Sequence, residues 1–533
     1  MSEIGAIELV FLLLLFFIIG FGLLARKLAT PYPIVMVIGG LLLAFIPGIP
    51  DINLNPELIF LVVLPPLLYS AAWTTSWRDF RYNIASIFLL AFGLVAFTVI
   101  GVGVLAPGVF AGFDWRLGLV LGAIVAPTDA IAATSIARRV GLPARIVDIL
   151  EGESLINDAT GLLALQFALA IVESGRVPTV STGILTLLWL ITGGVGLGLL
   201  VGWLAYEAER RFDDGPIEIT LSILIPYAAY LAADTIGASG ILAVVTCGLF
   251  LSRRSTAFFT PIVRIQIWSF WESFTFVLNG LVFVLIGLQL TTIRHSIREY
   301  SLPAILLAGA IFSAVLILLR LVWVFPGAWA AWFLRTRFGH QHEPSPSASH
   351  SFVIGWTGMR GVVSLAAALA LPEMLADGNP FPHRNLIVFL TFCIIVVTLV
   401  LQGLTLPPII GWLGLAGASG TSCEEQEARR IVLMAAVSHL ENARDHDDPS
   451  AASLYDDLAR HYRQRLLSVS GDGGNQAESS SHDRYVELSL EVVRVERDTA
   501  VSLRDQGRIN DEALRRIERE LDLTESRFAM TDS

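Results

Sequence analysis

Between Gly152 and Gly161 the sequence GESLINDATG sets Glu153, Ser154, Asn157 and Asp158 at i, i+1, i+4 and i+5. In a helix that spacing brings two carboxylates, a hydroxyl and an amide to one face. Carboxylate, hydroxyl and carbonyl oxygens can together replace the water shell of a hard monovalent cation, and the same carboxylates can hold protons. A site that holds either a proton or a cation, never both, exchanges one for the other by competition alone. A lone Asn or Ser in an apolar helix commonly does no more than hydrogen-bond to a neighbouring helix. Two carboxylates within five residues go beyond that, because a charge inside a membrane costs on the order of a few kcal/mol.

A second polar segment, IVAPTDAIAATS, carries Pro127 ahead of Thr128 and Asp129. Proline removes a backbone donor and tends to break the helix, which frees carbonyls beside these two residues. Broken helices near the membrane midplane supply transporter binding sites with half-helix dipoles and unwound backbone. A third segment, GWTGMRGVVSLAAALALP, sets Gly355, Gly358 and Gly361 around Arg360. Arg360 is expected either to compensate the carbonyl ends of broken helices or to neutralise Glu153, and Arg320, deep in another apolar stretch, is the alternative partner. Glu272 and Asn279 share a helix face at a spacing of seven. Glu218 and Asp234, near the ends of apolar stretches, are expected at a wetted interface.

These residues need a membrane around them, and the composition supplies it. The chain has 533 residues, of which 54% are hydrophobic and 16% charged, more apolar and less charged than soluble domains. Apolar stretches long enough to cross ~30 Å of hydrocarbon occur about thirteen times. The fifth is expected at residues 117–138, the sixth at 147–173, the eleventh at 303–334 and the twelfth at 351–372. The N-terminal stretch has acidic residues and no cleavage signature, and reads as a retained first span. The fold class expected is an all-α polytopic membrane protein with broken helices in spans 5 and 12. The seven-span offset between the breaks suggests a six-plus-six inverted repeat with one linking span.

Arginines collect in alternate loops, among them Arg78 and Arg81, Arg138, Arg139 and Arg145, Arg210 and Arg211, and Arg335 and Arg337. Positive charge marks the cytoplasmic side, so the N-terminus is expected outside and the C-terminus in the cytoplasm. Two domains follow: a transmembrane domain over 1–415 and a charged, helical cytoplasmic tail over 421–533, interrupted by a Gly/Ser-rich linker at 470–482. The net charge of −11, without a basic block, argues against nucleic-acid binding. Lys27 is the only lysine, so no lysine serves as a proton carrier within the membrane. Cys247, Cys393 and Cys423 are too few for a disulfide framework and read as packing residues. The histidines of HQHEPSPSASH read as a solvated loop, not a metal site. No phosphate-binding loop is present, and no cofactor or enzymatic activity is expected.

Taken together, APTDAIAATS, GESLINDATGLLA, FWESFTFVLNGLVFVLIGLQL and GMRGVVSLAAALALP resemble the monovalent cation/proton antiporters of family 1, bacterial sodium/proton antiporters related to animal sodium/proton exchangers. The resemblance covers spans three to thirteen and the tail end IERELDLTESR. It implies that Asp158 is the main ligand of both cation and proton, with Glu153, Ser154 and Thr128 completing a Na+ site. It also implies that Asn157 ties the two spans together and that Asp129 balances the broken-helix dipoles. The Asn157-Asp158 pair and the absence of a membrane lysine are similar to electroneutral members. A homodimer in the cell (inner) membrane is implied, with Na+, K+ or Li+ exchanged for H+. The tail is expected to respond to pH, to bind a cytoplasmic partner, or to serve only as a passive solubilising segment. A cation channel and a membrane sensor signalling through its tail are the alternatives.

Overall fold

The computed structural model describes residues 3–46, 55–110, 112–174, 179–212, 214–297, 301–338, 345–375, 378–417, 421–444, 452–470 and 476–506, with parts of 508–525. Residues 340–344 of the HQHEPSPSASH loop, the side chain of Cys423 and residues 471–475 lie outside them. The described residues form helices and no strand, with a lone bridge between Met374 and Pro380. The chain divides into two units, Met1–Ser419 and Gly420–Ser533.

Among the described residues nine helices are long and apolar enough to cross a membrane, or up to ten if the bent pair Trp115–Val125 and Ala130–Val140 counts as one span. The other expected spans are shorter as helices. Residues 32–48 give only Tyr32–Leu43, residues 237–252 give Gly240–Ser252, and residues 351–372 give Ala348–Trp356 and Val362–Leu369. A helix of 12 residues rises only ~18 Å, so Tyr32–Leu43 falls short of a full crossing by itself. The outer faces carry large apolar side chains, such as Val104 at 72% and Phe16 at 68% exposure, as a lipid solvent demands.

Helix contacts inside the first unit use small residues to bring backbones together. Gly40 of Tyr32–Leu43 faces Gly287 of Pro261–Ser296. A Cβ at Gly40 would lie 2.3 Å from the Val284 carbonyl oxygen, and one at Gly287 would lie 2.5 Å from the Leu41 nitrogen. Prolines within spans are absorbed locally. A widened π turn over Ile59–Val63 lies just before Pro65 and Pro66, inside the long helical run Pro56–Thr74. The looser turn lets a proline ring pass with little loss of backbone pairing.

Two spans break. The bend between Trp115–Val125 and Ala130–Val140 is 43°, at the Pro127 position where the backbone donor is missing. The second break, Thr357–Gly361, falls in the glycine-rich stretch before Val362–Leu369. The second unit contains the helices Thr421–Arg444, Ala452–Ser470 and Gln476–Asp505. Its first two helices are joined by exposed Arg444–Asp456 and Arg463–Glu441 pairs. The expected linker is shorter than 470–482, because helix resumes at Gln476.

Candidate functional site

The two breaks meet. The Asp129 backbone N–H donates to the Met359 carbonyl at 2.8 Å, so the unwound segment of one span hydrogen-bonds that of the other. The Asp129 side chain accepts from the Ile131 N–H at 2.8 Å and caps the helix Ala130–Val140. Its other oxygen lies against Gly361, where an added Cβ would come within 2.1 Å. Gly361 is the residue before Val362–Leu369. One carboxylate therefore faces the positive N-terminal ends of two half-helices, where negative charge is stabilising.

Arginines serve the opposite ends. Arg360 Nε donates to the Val125 carbonyl at 3.0 Å, at the end of Trp115–Val125, and its Nη1 donates to the Gly358 carbonyl. Arg320 donates from Nε and Nη2 to the Ile354 carbonyl at 3.2 and 3.1 Å, in the last turn of Ala348–Trp356. Arg384 donates to the Leu371 and Leu369 carbonyls at 2.8 and 2.9 Å, closing Val362–Leu369. Cations are favoured at helix C-termini, and the freed carbonyls of a broken span need donors where no water reaches. Residue type and spacing did not single out Arg384. Its position fifteen residues after Leu369, the end of a half-helix, was the available signal.

Glu153 is 1% exposed and binds Arg320 through both oxygens, at 2.5 and 2.9 Å. Arg320, not Arg360, makes that bidentate pair. The Glu153 carboxylate also accepts from the Thr128 hydroxyl at 3.0 Å. That hydroxyl in turn accepts from the Asn157 amide at 2.8 Å. A chain of hydrogen bonds thus runs Asn157, Thr128, Glu153, Arg320, Ile354, and it links the sixth expected span to both breaks. The Ser154 hydroxyl accepts from the Ala130 N–H at 3.3 Å.

Asp158 stands apart from this chain. It is 7% exposed, and no hydrogen bond from a described residue reaches its carboxylate. It lines a cavity of about 360 Å³ together with Thr128, Asp129 and Ser154. Tyr32 and Asn279 also line it, and neither the sequence spacing nor the helix pattern singled out Tyr32. Glu153 is not among its walls. Glu272 is exposed, so the helix face it was expected to share reaches the cavity through Thr275 and Asn279 instead. Of the two acids expected at a wetted interface, Asp234 is exposed, whereas Glu218 is fully buried in the first turn of Gly215–Thr235. The cavity reaches Glu151 and Arg138, which pair at 2.7 Å. Glu151 precedes Asp158 by seven residues, ~10 Å along the helix, so Asp158 lies about two turns from that rim.

Known proteins agree with this architecture. The family model for sodium/hydrogen exchanger, transmembrane, matches residues 11–412. An uncharacterised Na(+)/H(+) exchanger of Mycobacterium tuberculosis is 34% identical over 92% of this chain and 91% of its own length. A sodium, potassium, lithium and rubidium/H(+) antiporter of Bacillus pumilus is 33% identical over 82% of this chain and 66% of its own. The structure of a sodium proton antiporter from Methanocaldococcus jannaschii superposes with a TM-score of 0.60 at 20% identity, over 78% of this chain and 99% of that one.

Proposed function

We infer, from the premise that this chain belongs to the sodium/hydrogen exchanger family and is a cation/proton antiporter and not an enzyme, that exchange runs through Asp158. Asp158 holds one proton or one monovalent cation at a time. The observation that carries this reading is that Asp158 alone, among the carboxylates gathered at the two breaks, lines the cavity without a hydrogen bond to a described residue. Glu153 is held by Arg320 and Thr128, and Asp129 is held by the half-helix ends. We assign both to holding the site in shape, and Arg320, Arg360 and Asn157 to the same work. The Ser154 and Thr128 oxygens, on the cavity wall, complete the cation's coordination with water.

The transported cation is Na+, with K+ and Li+ admitted by the same oxygen donors, and exchange is one for one. One carboxylate that swaps one proton for one cation moves no net charge. Alternating access follows when the body that carries the two breaks moves against its surroundings. The chain is a multi-pass membrane protein, which we place in the cell membrane with its C-terminus in the cytoplasm. A homodimer would cover two spans that one chain leaves largely bare, Val10–Lys27 and Ser181–Glu209, whose most apolar 18-residue stretches are 17% and 11% buried.

Competition is tested with purified protein in liposomes holding a pH dye, driven by Na+, K+ or Li+. The apparent KM for the cation should rise as pH falls, because a protonated Asp158 must lose its proton before the cation binds, while the maximal rate at saturating cation changes little. Asp158→Asn should abolish exchange. A KM that does not move with pH, or exchange surviving in Asp158→Asn, would sink the reading.

A further inference from the structure

A second cavity, of about 120 Å³, meets the helix Ala144–Ser174 beyond Asp158, in the direction away from Glu151. Gln166, Tyr230 and Asp234 supply polar walls, with Thr160 and Ser239. We propose that this cavity is the outer mouth of the transport path, where Asp234 and Gln166 receive the hydrated monovalent cation. The proposal rests on the reading that exchange runs through Asp158.

Positions along one helix carry it. Glu151 lies seven residues before Asp158 and Gln166 eight residues after it, ~10 and ~12 Å along the axis in opposite directions. Leu155 and Leu162 sit one turn to either side of Asp158 on the same face. Leu155 lines the Asp158 cavity and Leu162 lines the second one. Asp158 thus stands between two spaces, as a wall of the one that reaches Arg138 and one turn from a wall of the other. The neighbouring helices agree on the side. Asp234 is in the last turn of Gly215–Thr235, a helix that begins just after Arg210 and Arg211. Ser239 caps the start of Gly240–Ser252, which runs to Arg253 and Arg254. Both put the cavity at helix ends opposite to the arginine-rich loops, and positive charge marks the cytoplasmic side.

The walls suit a cation. Gln166 and Asp234 are exposed although both belong to membrane-spanning helices, where ionisable groups mark ion pathways. A carboxylate and an amide carbonyl are oxygen donors for a monovalent cation, a carboxylate at a cleft mouth raises the local cation concentration, and the described walls include no basic residue. The rim is also held in place. The Tyr230 ring lies against Gly240, where an added Cβ would come within 2.7 Å of it, so the helix that carries Asp234 packs closely on the start of the next. The Ser239 N–H donates to the Leu190 carbonyl at 3.3 Å and ties that start to Val180–Glu209. Asp234 therefore sits on a fixed wall facing the helix that carries Asp158 and Gln166.

Sided transport by the full-length chain tests this. Na+ is presented to the outer face in right-side-out membrane vesicles and to the inner face in everted ones. Asp234→Asn should raise the apparent KM for Na+ at the outer face by about two- to fivefold, the scale of one exposed charge, and the rise should shrink with ionic strength. The inner KM should stay in place. Gln166→Cys should react with a membrane-impermeant thiol reagent from the outer face and lose exchange, with the unmodified chain giving the background from Cys247, Cys393 and Cys423. Asp158→Asn is measured beside them. Exchange that survives in Asp158→Asn defeats the Asp158 reading, and with it the path proposed here. Exchange lost in Asp158→Asn, together with an outer KM unmoved by Asp234→Asn or a Gln166→Cys that the reagent does not reach from outside, overturns the outer mouth alone.

Discussion

The backbone of Asp129 donates to the carbonyl of Met359 at 2.8 Å, joining two unwound segments 230 residues apart in the chain. Each break supplies what the other lacks. Pro127 leaves the first span without a donor, and the glycines around Arg360 leave the second with exposed backbone. Their contact brings Asp129 and Gly361, at the two half-helix ends, to the wall of the cavity that Asp158 lines.

Gly361→Ala tests that contact. The new Cβ would lie 2.1 Å from the Asp129 carboxylate, so the breaks must separate or Asp129 must lose its place. Unfolding of the purified variant should show a loss of about 1–3 kcal/mol, as overpacking costs. Cation-driven proton movement should fall far more than stability does. A variant with normal transport would show that the two breaks do not need this approach.

The Glu153–Arg320 pair gives a double-mutant prediction. Glu153→Gln leaves a buried guanidinium without its counter-charge, and Arg320→Gln does the same to the carboxylate. Each single change should destabilise by about 3–5 kcal/mol, whereas the double change should cost clearly less than their sum. Additive losses would mean that the two groups act separately.

Thr128→Val removes a hydroxyl that donates to Glu153 and accepts from Asn157 while keeping the side-chain shape. Two buried polar groups lose a partner, so stability should drop by about 1–3 kcal/mol. The apparent KM for the cation should rise as well, because Thr128 lines the cavity. An unchanged KM would remove Thr128 from the cation's surroundings.

Arg138→Gln acts at the rim of the Asp158 cavity. Arg138 is 64% exposed in its pair with Glu151, and exposed pairs contribute about 0–1 kcal/mol, so stability should scarcely change. Removing a positive charge beside a cation path should lower the apparent KM, and the effect should shrink as ionic strength rises. A KM insensitive to both the substitution and salt would put the cation's route elsewhere.

Gly287→Ala addresses the scaffold. Its Cβ would meet the Leu41 nitrogen and the Val37 carbonyl oxygen at 2.5 Å each, contacts between backbones that no rotamer change relieves. The Tyr32–Leu43 and Pro261–Ser296 helices should move apart, and the thermal midpoint should fall. An unshifted midpoint would mean the helices are not held by this approach.

The polar cluster was legible from type and spacing alone: carboxylates in apolar sequence are costly, so GESLINDATG and the Pro127 and Arg360 segments marked themselves as the chemistry of the chain. Membrane insertion and the two broken spans followed from length, apolarity, proline and glycine, which act locally. The family resemblance implied that Asp129 balances the broken-helix dipoles, whereas which arginine meets Glu153 came only from the packing of spans far apart in sequence. The same holds for Tyr32 on the cavity wall, the burial of Glu218 and the placing of Arg384 on a helix end. Helical periodicity says which residues share a face, but which face meets which neighbour depends on close approaches such as Gly40 to Gly287, decided by the whole bundle at once.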